Sequence, residues 1–217
     1  IQDQAQTLGD IDMLPQAEKE KLLQGLNQQA DSRSIDYPKD KTIDQLFLQH
    51  VERFPHRIAV TGPANGQTDR FDQNVSLSYS QLNAQADRLA SYLTQKGAGP
   101  DTIVAVMLER SVQVIISFLG ILKAGGVYMP VDPAYPADRI AYMLADSGTQ
   151  ILIVDPAGRR LVPGADDDSH PSPGIVDIAE LPASPSIAGS GHTRDTAGNP
   201  GSGAYVIYTS GTTGKPK

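Results

Sequence analysis

The stretch that decides the fold is TIVAVMLERSVQVIISFLGILKAGGVYMPV, residues 102–131. Its first seven residues are almost all apolar, which is typical of a strand buried on both faces. Ser111 then precedes VQVIISFLGILKA, a segment so apolar on every side that it predicts a buried helix. The helix ends at Gly125, and GVYMPV follows as a second strand. The stretch therefore predicts two parallel strands joined by a helix that packs on their sheet.

The alternation of strands and helices continues on both sides of this stretch. Upstream, RIAVTG and VSLSY predict strands, and a helix that begins at Ser80 and ends at Gly97 places its apolar residues on one face. Downstream, PADRIAYMLADSG predicts a helix and QILIVD a strand. Strands separated by helices of about 10 to 15 residues predict an α/β fold with a mostly parallel sheet flanked by helices.

The amino-terminal residues have a different character. PQAEKEKLLQGLNQ, residues 15–28, places Leu22, Leu23 and Leu26 on one face and predicts a short amphipathic helix. ADSRSIDYPKDK, residues 30–41, has the composition of a linker, and the next helix follows it, from Thr42 to its stop at Pro55. This pattern predicts a domain boundary within residues 30–41.

A long irregular stretch precedes the carboxyl end. Between Ala157 and Gly203, 20 of 47 residues are Gly, Pro or Ser, which predicts a long surface loop with at most the short strand GIVDI inside it. The apolar segment AYVIYTS, residues 204–210, then predicts a strand that leads directly into a polar loop.

Composition narrows the classes of function. The 217 residues carry a net charge of −7 without a basic tract, so we expect no nucleic-acid partner. The absence of cysteine excludes disulfides and thiolate metal sites and fits a cytoplasmic protein. The longest apolar run is interrupted by Lys123 and three glycines, so no membrane span is predicted. No pair of the four histidines has ligand spacing, and the acidic run 166–168 lacks a calcium-loop pattern, so we predict no metal site.

The polar loop YTSGTTGKPK, residues 208–217, has the parts needed to bind phosphate. Glycines let backbone N–H groups point inward, hydroxyls donate hydrogen bonds, and lysine offsets negative charge. It is not a Walker A loop, because Thr209 stands where that pattern needs glycine and Pro216 follows the lysine. Tyr208 stands where a nucleophile elbow needs glycine, so Ser210 is not predicted to be an acyl-enzyme nucleophile. On composition alone, a polar turn is an equal alternative.

Three segments carry a family resemblance, and they occur along the chain in the order that the family has. AYVIYTSGTTGKPK resembles the phosphate-binding signature of the adenylate-forming superfamily. LKAGGVYMPVDPAYPADRI and LSYSQLNAQADRLASYL resemble two motifs of the adenylation domains of nonribosomal peptide synthetases, although Gln81 stands where the second usually has Glu. Residues 21–60 are similar to the passage that joins a condensation domain to the adenylation domain behind it.

The resemblance implies a division of the chain and a set of binding residues. Residues 1–36 would be the condensation-to-adenylation linker, and residues 37–217 the amino-terminal portion of an adenylation domain, an incomplete adenylate-forming fold that stops within its phosphate loop. The family's substrate pocket, ribose-binding aspartate and catalytic lysine would follow that loop, so no catalytic residue is expected here. The residues implied to bind the phosphates of ATP are Thr209, Ser210, Gly211, Thr212, Thr213, Gly214 and Lys217.

The reaction that the resemblance implies is activation of an amino acid, or a related carboxylic acid, by ATP with Mg²⁺. The aminoacyl-AMP would pass to the phosphopantetheine thiol of a downstream carrier domain, with a condensation domain upstream. We expect these 217 residues alone to form no adenylate. A stand-alone acyl- or aryl-acid-CoA ligase and a non-catalytic interaction fragment stay open as alternatives.

Four further residues have a tempting position without a predicted catalytic role. Lys123, Tyr128 and Asp132 lie within the second of the quoted segments, where packing and strand termination are the expected roles. Arg110 follows a buried strand, and we expect it to pair with a surface acid rather than to bind phosphate.

Overall fold

The computed structural model describes residues 15–22, 38–64, 74–162, 173–180 and 199–209. Two compact units, Ile1–Pro38 and Lys39–Lys217, make up the chain.

The first unit contains helix α1 (Gln16–Glu20), which begins after Pro15 at its N-cap. Leu22, just past this helix, is exposed. The predicted amphipathic helix is therefore present over its first turns, whereas Leu23 and Leu26 lie outside the described residues.

The second unit alternates strands and helices, and the predicted α/β fold is confirmed. Its elements in chain order are α2 (Ile43–Arg53), β1 (Ile58–Pro63), β2 (Asn74–Ser78), α3 (Tyr79–Gln95), β3 (Ile103–Met107), α4 (Val112–Lys123), β4 (Val127–Pro130), α5 (Ala137–Asp146), β5 (Ile151–Val154), α6 (Pro156–Arg159) and β6 (Gly174–Asp177). Four strands form a parallel sheet in the order β4-β3-β5-β6. Strands β1 and β2 form a separate antiparallel pair, which the sequence pattern did not distinguish from the parallel strands.

The parallel sheet separates two hydrophobic cores, because alternate side chains of a strand point to opposite faces. Val104 and Val106 of β3 pack in the first core with residues of α3 and α4. Ala105 and Met107 pack in the second core with residues of α5. Helices therefore cover both faces of the sheet, as the near-continuous apolar strands predicted.

Helices α3 and α4 approach closely at one glycine. A Cβ placed on Gly120 of α4 would lie 2.8 Å from Leu89 Cδ2 and 2.9 Å from Leu89 Cγ. At the edge of this interface, Lys123 Nζ lies 2.7 Å from Asp87 Oδ1, with the lysine side chain 11% exposed. Helix α4, which the sequence shows to be apolar on every side, is thus packed between α3 and the sheet. In the described part of the chain, no helix is long and apolar enough to cross a lipid bilayer.

Three helices end with the same backbone motif, which returns the chain sharply to the sheet. Gly97, Gly125 and Gly148 have φ values of 93°, 80° and 65°, and each follows the C-cap of its helix. The next residue in each case donates a backbone hydrogen bond to the carbonyl five residues before it, at 2.9 to 3.2 Å. A side chain disfavours this left-handed conformation, so glycine is the suited residue.

The helix predicted to begin at Ser80 begins one residue earlier, at Tyr79, because Ser78 is its N-cap. The Ser78 hydroxyl accepts from the Gln81 backbone N–H at 3.3 Å, and the Gln81 side chain accepts from the Ser78 N–H at 2.9 Å. This reciprocal capping box accepts Gln as well as Glu, which gives the departure at Gln81 a structural role. Ser111 stands at the N-cap of α4 as predicted, although its hydroxyl donates to the Glu109 carbonyl instead of capping the helix.

The close approach at Gly120 generates a stability prediction. We expect Gly120→Ala to lower the free energy of unfolding by about 1–3 kcal/mol through overpacking against Leu89, offset by up to about 1 kcal/mol of improved helix propensity. Urea unfolding of the purified polypeptide measures the difference. Gly99→Ala is the matched control, because no atom lies within 4 Å of its Cβ position. Equal effects of the two substitutions would contradict the tight α3–α4 contact.

Candidate functional site

Residues 204–206, which precede the predicted phosphate loop, pair with β4 at the edge of the parallel sheet. Tyr205 pairs with Tyr128 of β4 in a parallel bridge. The Tyr128 N–H donates to the Ala204 carbonyl at 3.0 Å, and the Val206 N–H donates to the Tyr128 carbonyl at 2.8 Å. Because the pairing is parallel, the chain runs toward the carboxyl edge of the sheet, where open α/β sheets bind their ligands.

The predicted strand over residues 204–210 is present only as this short bridge. The next ladder bond would need an N–H from position 130 of β4, and Pro130 has none to donate. The ladder between this segment and β4 therefore ends at the bond that the Val206 N–H donates to Tyr128. The predicted strand was therefore too long. The predicted direction of the segment, parallel to the neighbouring strands, was correct.

Side chains of the segment alternate as they would in a strand. Val206 and Tyr208 pack against the second core of the sheet. Tyr205 and Ile207 point the other way and are 60% and 57% exposed. Since successive residues face opposite sides, Thr209 follows on the exposed side, at the last described position before the loop.

Tyr208 is bound to the end of helix α5 through a carboxylate. Its hydroxyl donates to Asp146 Oδ2 at 2.6 Å, across 62 residues of sequence. Tyr142, one turn earlier on α5, donates its hydroxyl to Asp146 Oδ1 at 3.3 Å. One exposed carboxylate thus accepts from two phenols, of which one belongs to the helix and the other to the segment that enters the loop.

This arrangement raises the pKa of both phenols. Partial burial, together with the hydrogen bond to Asp146 and the charge of that carboxylate, raises the pKa of Tyr208 from 10.0 to about 12. The pKa of Tyr142 is raised by the same kinds of cause. Both hydroxyls therefore stay protonated, and able to donate, at neutral and mildly alkaline pH.

Of the residues that the family signature implies for phosphate binding, the structure describes one. Thr209 is exposed at the carboxyl edge of the sheet. Ser210, Gly211, Thr212, Thr213, Gly214 and Lys217 lie outside the described residues. Their assignment to phosphate binding stays a prediction.

Other polar residues at the carboxyl edge serve the turns that follow each strand. Asp132 Oδ1 accepts the Ala134 N–H at 2.9 Å after β4, and Asp155 Oδ1 accepts the Gly158 N–H at 2.6 Å after β5. Arg110 is exposed and forms no ion pair with a described residue, so the expected surface pair is not seen there.

The other residues singled out by sequence have structural contacts. Lys123 forms the ion pair with Asp87 described above. Tyr128 packs its ring edge-on against Phe118, with ring centroids 5.2 Å apart, and burial raises the pKa of its phenol. These contacts agree with the packing roles that were expected.

No metal centre is formed by the residues that the structure describes, since no three His, Asp or Glu side chains converge there. His50 bonds through Nδ1 to the Leu46 carbonyl at 3.2 Å and lies beside the rings of Phe54 and Tyr79. His170 and His192 lie outside the described residues.

A cavity of about 150 Å³ lies at the opposite, amino edge of the sheet. Its lining includes Thr42 and Asp44 at the start of α2, Gly125 and Gly126 before β4, and Ala204. Because parallel strands begin at this edge, the cavity lies at the other end of the strands from Thr209.

The Asp146 contact is the part of the site that sequence reasoning missed. The spacing of Tyr142 and Asp146, four residues apart on a helix, was a readable signal for their hydrogen bond. The bond from Tyr208 had no such signal, because 62 residues separate the partners.

A parallel sheet covered by helices on both faces, with Thr209 of a Ser/Thr/Gly-rich sequence at its carboxyl edge, is typical of ligand-binding α/β proteins. Comparison with known proteins makes the class specific. The model of the family described as AMP-binding enzyme matches residues 47–217. Tyrocidine synthase 3 of Brevibacillus parabrevis is 44% identical over 211 residues, which cover 97% of this chain and 3% of that protein.

Solved structures agree with the sequence comparison. The nonribosomal peptide synthetase FmoA3 with alpha-methyl-L-serine-AMP bound has a TM-score of 0.66 and 26% identity, over 84% of this chain and 18% of that one. Its AMPPNP-bound form has a TM-score of 0.64 and 26% identity, over 82% and 17%. The NpsA N-terminal subdomain of Klebsiella oxytoca has a TM-score of 0.64 and 26% identity, over 83% and 41%.

The chain belongs to the AMP-binding enzyme family and corresponds to the amino-terminal portion of an adenylation domain of nonribosomal peptide synthetases. The family resemblance and the incomplete adenylate-forming fold expected from sequence are both confirmed. The chain spans a few per cent of the length of its synthetase relatives, 3% for tyrocidine synthase 3.

The raised pKa of Tyr208 generates a prediction about pH. The folded protein binds this proton more tightly than the unfolded chain, so its stabilisation is complete below pH 10 and is lost as pH rises toward about 12. We expect the stability difference between wild type and Tyr208→Phe to be constant up to about pH 9 and to shrink above about pH 10. Urea unfolding of both proteins across this range measures it. A difference that does not change with pH would contradict the bond to Asp146.

Proposed function

We propose that this chain contributes the phosphate-binding part of an enzyme that joins an amino acid, or a related carboxylic acid, to AMP. The observation that carries the proposal is the parallel bridge between Tyr205 and Tyr128, in a member of the AMP-binding enzyme family. The bridge directs the chain toward the carboxyl edge of the sheet, where Thr209 begins the sequence TSGTTGKPK. The complexes of FmoA3 with alpha-methyl-L-serine-AMP and with AMPPNP support an aminoacyl-AMP product and a triphosphate substrate.

The loop residues would act by position and charge. The backbone N–H groups around Gly211 and Gly214, with the hydroxyls of Thr209, Ser210, Thr212 and Thr213, would donate hydrogen bonds to the β- and γ-phosphates of ATP. Lys217 would offset their negative charge. No acid or base is required from this loop, because charge stabilisation and orientation supply most of the catalysis in phosphoryl-type transfer.

The chemical step is a substitution at the α-phosphorus of ATP. A carboxylate oxygen of the substrate attacks that phosphorus, the bond to the bridging oxygen breaks, and pyrophosphate leaves with the electron pair. Mg²⁺ fits as an ion carried by the nucleotide, since it keeps several waters and needs few protein ligands. The Ser/Thr/Gly loop would bind the pyrophosphate part of ATP and so stabilise the leaving group.

The remaining partners follow from the synthetase relatives. We assign residues 1–36 to a linker behind a condensation domain and residues 37–217 to the adenylation domain. The match of tyrocidine synthase 3 to 97% of the chain, including the linker residues, supports this division. The aminoacyl-AMP would pass to the phosphopantetheine thiol of a downstream carrier domain, and the cytoplasm, where ATP and amino acids are available, is the expected compartment.

Lys217 provides a test of the phosphate loop. In the full-length protein that contains this sequence, Lys217→Ala should raise the KM for ATP roughly 10- to 100-fold, because a hydrogen bond to a charged group contributes about 1.5–3 kcal/mol. Amino-acid-dependent exchange of pyrophosphate into ATP measures the effect. Lys215→Ala is the matched control and should change the KM by less than about twofold. A larger effect at Lys215 than at Lys217 would contradict the assignment.

The 217-residue polypeptide by itself should give no amino-acid-dependent pyrophosphate exchange. The resemblance places the ribose-binding aspartate and the catalytic lysine of the family after the phosphate loop, and positioning both substrates supplies most of the rate. Exchange assays of this polypeptide, beside the full-length protein as the positive control, test this. Exchange above the no-enzyme blank by the 217 residues alone would refute it.

A further inference from the structure

The geometry assigns Asp146 as a positioning residue for the phosphate loop, acting through the hydroxyl of Tyr208. This inference rests on the proposed function, because it concerns the same loop. It adds a residue that lies on helix α5, outside the family signature and more than 60 residues from the loop in sequence.

The first argument is how the loop-entry segment is held. Its backbone ladder to β4 reaches Val206 and meets Pro130, which has no N–H for a further bond. Two residues later, the Tyr208 hydroxyl bonds to Asp146 at 2.6 Å. Beyond Val206, Tyr208 therefore attaches the segment through a ring that packs on the second core and a phenol bound to a carboxylate.

The second argument is where Asp146 stands on its helix. It is the last residue of α5, near the negative end of the helix dipole, and the last turn of this helix has no basic residue. A carboxylate there is unfavourable for the helix, whereas Asp138 in the first turn is favourably placed. No Lys or Arg of the described chain pairs with Asp146. Its described partners are the two phenols, so stability of the helix does not account for an acid at this position.

The third argument is adjacency to the chemistry. Tyr208 directly precedes Thr209, the first residue of the implied phosphate loop. A displacement of about 1 Å in a positioning element can cost roughly 100-fold in rate. Fixing the Tyr208 ring therefore fixes the position of the residue next to Thr209, which is the described residue of the proposed phosphate loop.

The test uses the full-length protein and separates ATP binding from stability. Tyr208→Phe and Asp146→Ala should each raise the KM for ATP about 10-fold in pyrophosphate exchange, with the KM for the amino acid unchanged. Asp146→Ala should change the midpoint of thermal unfolding only slightly, because the loss of two hydrogen bonds is partly offset by removal of a negative charge from a helix C-terminus. Asp146→Asn keeps a neutral acceptor and should fall between Asp146→Ala and wild type.

A matched control and a double variant sharpen the result. Tyr142→Phe removes the bond of the other phenol to the same carboxylate, but that bond stays within α5, so the KM for ATP should stay within about twofold of wild type. Tyr208→Phe combined with Asp146→Ala should be no worse than either single variant, since both remove one interaction.

The outcomes distinguish this inference from the function on which it rests. If Lys217→Ala raises the KM for ATP while Asp146→Ala and Tyr208→Phe do not, the positioning role is overturned and the phosphate loop stands. It is equally overturned if the KM values for ATP and for the amino acid rise together, as a general distortion of the domain would cause. If the wild-type protein shows no exchange with any amino acid or related carboxylic acid, the proposed function fails and the positioning role with it.

Discussion

The structure depends on strand β3, which is hydrogen-bonded on both sides and buried on both faces. It pairs in parallel with β4 and with β5, and its alternate side chains enter the two separate cores. A parallel strand in this position leaves no backbone group for water, so the elements on either side must be present for it to be stable. The helices α3, α4 and α5 supply that cover.

The cover requires close packing and sharp returns of the chain. Gly120 allows α4 to approach Leu89 at a distance that a Cβ would not permit, and the three helix-terminal glycines turn the chain back toward the next strand. These devices set where each strand begins. They consequently set where β4 ends, and Thr209, the described residue of the proposed phosphate loop, lies at this carboxyl edge of the sheet.

The hydrogen-bond ladder is interrupted at that edge of the sheet. Pro130 closes β4 without an N–H for its outer neighbour, so side chains contribute to holding the segment after its bridge at Tyr205. Val206 and Tyr208 pack inward, and the carboxylate of Asp146 binds the Tyr208 hydroxyl. Tyr208, directly before Thr209, is thereby held by the second core of the sheet as well as by the neighbouring bridge to β4.

The sequence by itself determined the α/β class, the element order and the direction of the loop, because apolar period, caps and glycines are local signals. The stretch 102–131 predicts its strand, helix and strand, and the motif residues identify the family. The sequence pattern could not show that β1 and β2 pair antiparallel, since the direction of pairing depends on which strands meet and not on the spacing of apolar residues within each strand. Nor could it place the N-cap of α3 at Ser78 and its start at Tyr79, because Ser80 also suits the beginning of a helix. Only the tertiary structure joined Tyr208 to Asp146, since no local rule relates residues 62 positions apart. Their contact exists because β4 and α5 bring them to the same edge of the second core.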